Sequence, residues 1–176
     1  MYLQDDEFVC SATDLANHLS CQHLTQLNRR VAFGDLTRPY RDDPLLETLI
    51  ERGQQHEKNY VDYLKLSGMN VIDIGSGSDR AQRTLAAMKE GADVIVQAQL
   101  KSDRWQGYAD ILLRVTGESD FGNWSYEVAD TKLSQTTKGT TILQLCLYSD
   151  LLAHLQGVMP EQMAVVKPGE PFETDR

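Results

Sequence analysis

The sequence predicts an α/β fold: a central mixed β-sheet flanked by helices, in the order helix, strand, strand, strand, helix, strand, behind an N-terminal helical extension. Three observations predict it. Apolar residues recur at helical spacing over residues 45–66 and again over 140–156. Between these helices lie three segments rich in β-branched and aromatic residues. A short apolar strand, Met163 to Val166, follows the second helix, which therefore acts as a crossover and sets that strand parallel to a neighbour.

Along the chain, residues 1–9 read as a polar lead-in. Ser11 and Asp14 form a capping-box pattern that opens a helix to about Asn28, with Leu15, Leu19, Leu24 and Leu27 on its apolar side. Within it, Cys21 is expected as a buried thiol and His23 as a surface imidazole. Residues 34–44 form a loop, and Arg29, Arg30, Arg38 and Arg41 make this region locally basic. That charge is either a solvated surface or a lip that touches phosphate.

The helix from Leu45 to Leu66 carries Gly53 and His56 near its middle. A mid-helix glycine costs about 1 kcal/mol against alanine, so close packing or substrate approach is expected there. Val71 to Ile74 is extended, Gly75 to Ser78 is a turn without the ending of a phosphate loop, and Arg80 to Lys89 is helical. The strand Asp93 to Leu100 is expected to carry Val94, Val96 and Ala98 on one face and Ile95 and Leu100 on the other. The helix Thr140 to Gln156 stops at Gly157 and places Gln144 and Tyr148, four apart, on one face.

The chemistry gathers on two consecutive strands. Gly107-Tyr108-Ala109-Asp110 opens the apolar run Ile111 to Val115, and Tyr126-Glu127-Val128-Ala129-Asp130-Thr131-Lys132 follows. Alternation puts Val128, Asp130 and Lys132 on one face and Thr131 on the other, and turns Glu127 away from Asp130. A hairpin turning at Gly117 to Asn123 brings Asp110 and Asp130 to one end of the sheet. Two carboxylates there repel unless a cation sits between them, and hard oxygen donors suit Mg²⁺ or Mn²⁺.

Composition sets the limits. A chain of 176 residues, 41% hydrophobic and 24% charged, suits one soluble globular domain. No apolar run reaches membrane-spanning length, and Cys10, Cys21 and Cys146 make no disulfide framework, so a reducing, cytoplasmic setting is expected. The net charge of −9 argues against nucleic-acid binding through bulk charge, but it leaves room for an acidic metal centre beside a local basic track.

These residues in this order resemble the PD-(D/E)XK nuclease superfamily, in its RecB-like branch, over about Ser11 to Val166. They are His56 on a helix, Gly107-x-x-Asp110 and Asp130-x-Lys132 on strands, and Gln144-x-x-x-Tyr148 on a helix. The resemblance implies a restriction-endonuclease-like core over residues 45–176 behind an extension over 1–44. It implies metal-dependent hydrolysis of DNA phosphodiesters, of exonuclease type, in repair or processing. His56, Asp110, Asp130 and the Thr131 backbone carbonyl would hold Mg²⁺ or Mn²⁺. Lys132 would orient or activate the attacking water, and Gln144 and Tyr148 would position substrate. Single-stranded DNA or duplex ends are the implied partner, with a helicase domain or subunit. Several relatives also hold an iron–sulfur cluster, for which Cys21 matches the first ligand. No cysteine follows Cys146, so such a cluster would need cysteines outside these residues, and a segment of a longer protein is expected. Two readings of other classes stand beside this one: a nuclease-derived binding or docking module, and a metal-dependent phosphoesterase acting on small molecules.

Overall fold

The computed structural model describes residues 1–40, 42–169 and 172–176. In chain order the elements are β1 (Tyr2–Gln4), β2 (Glu7–Val9), α1 (Ala12–Ser20), α2 (Gln22–Ala32), α3 (Pro44–Leu66), β3 (Val71–Asp73), α4 (Arg80–Lys89), β4 (Val94–Ser102), β5 (Trp105–Ser119), β6 (Gly122–Thr131), α5 (Gly139–Gln156), β7 (Met163–Lys167) and β8 (Glu173–Asp175). Arg41, Glu170 and Pro171 lie outside the described residues.

Six strands form one sheet in the order β3-β4-β5-β6-β7-β8. The β4–β5, β5–β6 and β7–β8 pairs are antiparallel, whereas β3–β4 and β6–β7 are parallel. The sheet is therefore mixed and flanked by helices, as the sequence predicts, and α5 is the crossover that makes β7 parallel to β6. On one face α4 and α5 cover Ile95, Leu100, Leu112, Tyr126 and Val128. On the other, α3 presents Tyr60, Val61 and Leu64 to Val94, Val96, Ile111 and Val166.

The ends of α5 show why it runs where it does. Gly157 takes φ +75, the left-handed turn that ends a helix without a Cβ penalty. The preceding Gln156 is fully buried. Its side-chain amide donates to the Tyr126 carbonyl, and its amide oxygen accepts from the Tyr126 N–H, which clamps α5 to β6. Tyr126 is itself buried and donates its hydroxyl to the Ala92 carbonyl at 2.8 Å; burial is the main cause that pushes its pKa up to about 12.

Four local expectations are corrected. Residues 1–9 are no lead-in but a hairpin, β1–β2, turned by Asp5 and Asp6 at φ +50 and +63. Asp tolerates the left-handed region better than most residues, so this pair serves where Asn-Gly usually stands. The capping box at Ser11 and Asp14 forms as expected, but the helix breaks at Cys21, whose extended backbone (φ −161, ψ 105) separates α1 from α2. Cys21 is exposed rather than buried, and His23 is exposed as expected.

The third correction concerns β4. Ala98 shares a face with Ile95 and Leu100 instead of with Val94 and Val96. Gln97 between them has φ +56, which interrupts the alternation. On β5 the alternation breaks opposite it: Ala109 and Leu112 face α5 while Ile111 faces α3, so the break falls at Asp110. Fourth, of the two reasons expected for Gly53, close packing is not met: a Cβ built there meets nothing within 4 Å. Gly53→Ala is therefore expected to stabilise the protein by about 0.5–1 kcal/mol, read by urea unfolding.

Candidate functional site

Asp110 and Asp130 meet at the end of the β5–β6 hairpin, one step beyond the Ile111–Ala129 pair. Asp110 is held by Thr131, whose backbone N–H and hydroxyl donate to Asp110 Oδ2 at 3.2 and 3.3 Å. The N–H and hydroxyl of Thr131 thus tie it to Asp110. Asp130 is 1% exposed. Its Oδ1 accepts from Gln144 Nε2 at 3.2 Å, and Lys132 Nζ lies 2.5 Å from its Oδ2. That ion pair runs off the hydrogen-bonding directions, so Oδ2 is buried without a hydrogen bond. Burial first, then the adjacent Asp110 carboxylate, raises the Asp130 pKa well above the usual carboxylate range; Lys132 opposes this.

Tyr148 lies one helical turn beyond Gln144, 7% exposed, with its pKa pushed up to about 12 by burial first and then by the charges of Asp110 and Asp130. Its ring packs on Gly107. A Cβ at that position would lie 2.8 Å from Cζ and 2.9 Å from the hydroxyl oxygen. The glycine of Gly-x-x-Asp and the tyrosine of Gln-x-x-x-Tyr are therefore one steric unit: Gly107 leaves the space that Tyr148 fills.

His56 is buried and faces β7, where its Nε2 lies 3.2 Å from the Val166 carbonyl oxygen. A carbonyl only accepts, so Nε2 carries the proton and is committed to the backbone. The ring packs beside Phe172, with centroids 5.7 Å apart. The acid that sequence reasoning passed over is the next residue, Glu57. Its Oε1 accepts from Gln97 Nε2 at 2.7 Å. Burial first, then the Asp110 and Asp73 charges, raises its pKa, against the Gln97 hydrogen bond and Lys132. A helix turns about 100° per residue, so neighbours on α3 face different structures; an acid beside the histidine on the helix fronting Asp110 was the available signal. The non-glycine φ of +56 at Gln97, which reaches Glu57, is a strained position at this same cluster. The Gln97 carbonyl also accepts from Arg80, whose guanidinium stacks 4.1 Å over the Tyr108 ring at the rim.

Among the described residues, no three His, Cys, Asp or Glu side chains converge in a group that could hold a metal ion. The donor set that is present suits Mg²⁺, which takes one or two carboxylates and completes its shell with water and substrate phosphate rather than with a protein cage. The buried Oδ2 of Asp130, which has Lys132 as its ionic partner but no hydrogen bond, lies beside Asp110 and fits that demand. Cys21 lies at the exposed α1–α2 junction and is a free thiol. Arg29 stacks over Phe8 at 5.0 Å, and Arg38 donates to Asn28 at 3.4 Å. A cavity of about 630 Å³ lies along Arg114, Trp124 and Glu127 and includes none of Asp110, Asp130 and Lys132. Among the described residues, no helix is long and apolar enough to cross a membrane. No protein-family model, curated protein or solved structure matches the chain.

Proposed function

We infer that this protein is a metal-dependent deoxyribonuclease of the RecB-like kind, hydrolysing phosphodiester bonds at Asp110, Asp130 and Lys132. The observation that carries this reading is the contact between two carboxylates, one with a buried oxygen lacking a hydrogen bond, beside a lysine 2.5 Å away. Two adjacent carboxylates, one of them buried, share a single lysine, so the cluster has room for a ligand that supplies further positive charge.

Mg²⁺ or Mn²⁺ held by Asp110 and Asp130 supplies charge neutralisation at the phosphoryl oxygens and lowers the pKa of a water. The chain's own residues then have separate tasks. Thr131 keeps Asp110 in place, and Gln144 holds Asp130 by its Oδ1, leaving Oδ2 directed into the site. Lys132, one-third exposed, is free to turn from Asp130 to the attacking water or to the charge that develops on phosphorus. Glu57, held by Gln97, lies close enough to feel the Asp110 charge, and His56 braces α3 against β7. Tyr108, 40% exposed beneath Arg80, offers a flat rim on which a base can stack, which favours DNA over a small phosphoester. A helicase domain or subunit is the partner such a site would use to obtain unpaired strands.

Asp110→Asn keeps an acceptor for Thr131 but removes a charge. It is expected to abolish Mn²⁺ binding in calorimetry and to cut metal-dependent cleavage of labelled single-stranded DNA at least about a hundredfold, at about 1.4 kcal/mol per factor of ten. Lys132→Ala is expected to keep the metal and lose cleavage. Undiminished cleavage by purified Asp110→Asn would sink the assignment. The second reading, a binding or docking module, is favoured by the lack of a three-donor cluster among the described residues. It predicts DNA binding by the wild type without metal-dependent cleavage.

A further inference from the structure

The N-terminus of α5 opens into a cavity of about 360 Å³ that includes Lys132 and Gln144, the two side chains that touch Asp130. At about 30 Å³ per liquid water, this space exceeds what one ion needs and suits a phosphate with its sugar. In a protein with 26 acidic and 17 basic residues, the cavity is walled by Lys132 and Lys138 and no carboxylate.

The helix behind it is 18 residues long, has no acidic residue in its first turn, and lacks a side-chain cap at Lys138. The Thr141 and Ile142 N–H groups bond the Lys138 carbonyl, so the Gly139 and Thr140 amides stand at the open end without a partner among the described residues. An uncapped helix start of this length favours an anion.

A second observation concerns a side chain rather than the backbone amides. Thr141 is 6% exposed and lines the cavity, and its hydroxyl has no hydrogen-bond partner among the described residues. The hydroxyl is open to the cavity rather than sealed in the core, so water or a ligand takes its hydrogen bond. Valine would fill the same volume, so packing alone does not explain threonine here. The loop in front of α5 is already tied down. Ser134 donates to the Thr136 carbonyl at 2.8 Å, and Thr137 donates to Asp175 at 2.7 Å. Ordering it around a ligand therefore costs little further entropy.

We propose that this cavity is a phosphoryl-binding subsite that takes the nucleic-acid phosphate next to the one addressed by Asp110, Asp130 and Lys132. The nuclease reading supplies only the source of the phosphate; the amides, the Thr141 hydroxyl and Lys138 select the group itself. The subsite fixes register by holding a neighbouring, unreactive phosphate, as backbone contacts do in nucleic-acid recognition.

The test uses Thr141→Val and Lys138→Gln, the latter on an exposed side chain that leaves packing untouched. The Gly139 and Thr140 amide resonances are followed while inorganic phosphate is added, with chloride as control. Affinity for a fluorescent single-stranded oligonucleotide is read by anisotropy in EDTA, with a 5′-phosphate and with a 5′-hydroxyl. The two amides are expected to shift with phosphate and not with chloride. Each variant is expected to weaken the oligonucleotide about tenfold, and Lys138→Gln to lower the salt slope by about 0.7. Loss with both 5′ ends assigns an internal phosphodiester; loss with the 5′-phosphate alone assigns a terminal monoester. Unmoved amides with unchanged affinities overturn the proposal, as does a wild type that binds neither phosphate nor DNA. Phosphate shifts in a protein that cleaves no DNA with Mn²⁺ would fail the nuclease reading and keep the subsite. Cleavage without shifts would do the reverse.

Discussion

Replacing Asp130 by asparagine is expected to raise the melting temperature of the metal-free protein while removing both its stabilisation by Mn²⁺ and its cleavage of DNA. The side chain is 1% exposed, and burial is the first reason that its carboxyl holds its proton, with the Asp110 charge second. A carboxyl whose pKa is higher folded than unfolded binds protons more tightly in the native state. Its contribution is fully present below the unfolded value of about 4 and is lost as pH rises through the raised folded value. At about pH 8 the wild type therefore pays for a carboxylate that its site disfavours. Asparagine keeps an oxygen for Gln144 and relieves the repulsion with Asp110, while losing the Lys132 ion pair, which offsets burial and the Asp110 charge only in part.

The gain should be about 1–3 kcal/mol, or roughly 2–10 °C in a domain of this size, and should shrink as pH falls towards about 4. The metal effect has the opposite sign. Wild type should gain stability with Mn²⁺ as RT ln(1 + [L]/Kd), and the variant should not. Calorimetric scans with Mn²⁺ and with EDTA across this pH range separate the two. A melting temperature unchanged at high pH, with metal stabilisation intact, would mean that Asp130 is an ordinary solvated acid and the site is misassigned.

Gly107→Ala should cost about 1–3 kcal/mol, the range for overpacking a core, although alanine suits a strand better than glycine. The added methyl meets the Tyr148 ring, whose Cζ and hydroxyl oxygen would lie 2.8 and 2.9 Å away. That ring is 7% exposed and sits on a helix fastened to β6 through Gln156, so it has little room to swing. The strain should pass along α5 to Gln144 and loosen its hold on Asp130, lowering cleavage as well as stability. A double-mutant cycle isolates the contact. In a Tyr148→Ala background the Gly107→Ala cost should fall to a few tenths of a kcal/mol, leaving a coupling of about 1 kcal/mol or more. Equal costs in both backgrounds would show that the two motifs do not depend on each other.

The element order from α3 to β7 was legible because it is written in local periodicities. The apolar spacing of Tyr60, Val61 and Leu64 marks α3, and Gly157 marks the end of α5. The two-strand spacing of Asp110 and Asp130 needed only a hairpin to become a contact, and β5–β6 supplies it. What local pattern does not contain is anything that depends on which neighbour a side chain meets. Alternation along β4 fails at Gln97 because its φ of +56 is stabilised by bonds to Glu57 and Arg80, which are distant in sequence. His56 turns to the Val166 carbonyl and Glu57 to Gln97 because α3 lies across the sheet face at an angle set by packing. Gly107 reads as a flexible residue until Tyr148, 41 positions later, is seen to occupy the space beside it. Residue types and periods belong to the chain, whereas the pairing of a buried charge, the tautomer of a histidine and the room left by a glycine arise when distant segments pack. Burial then sets the cost of every polar group left without a partner.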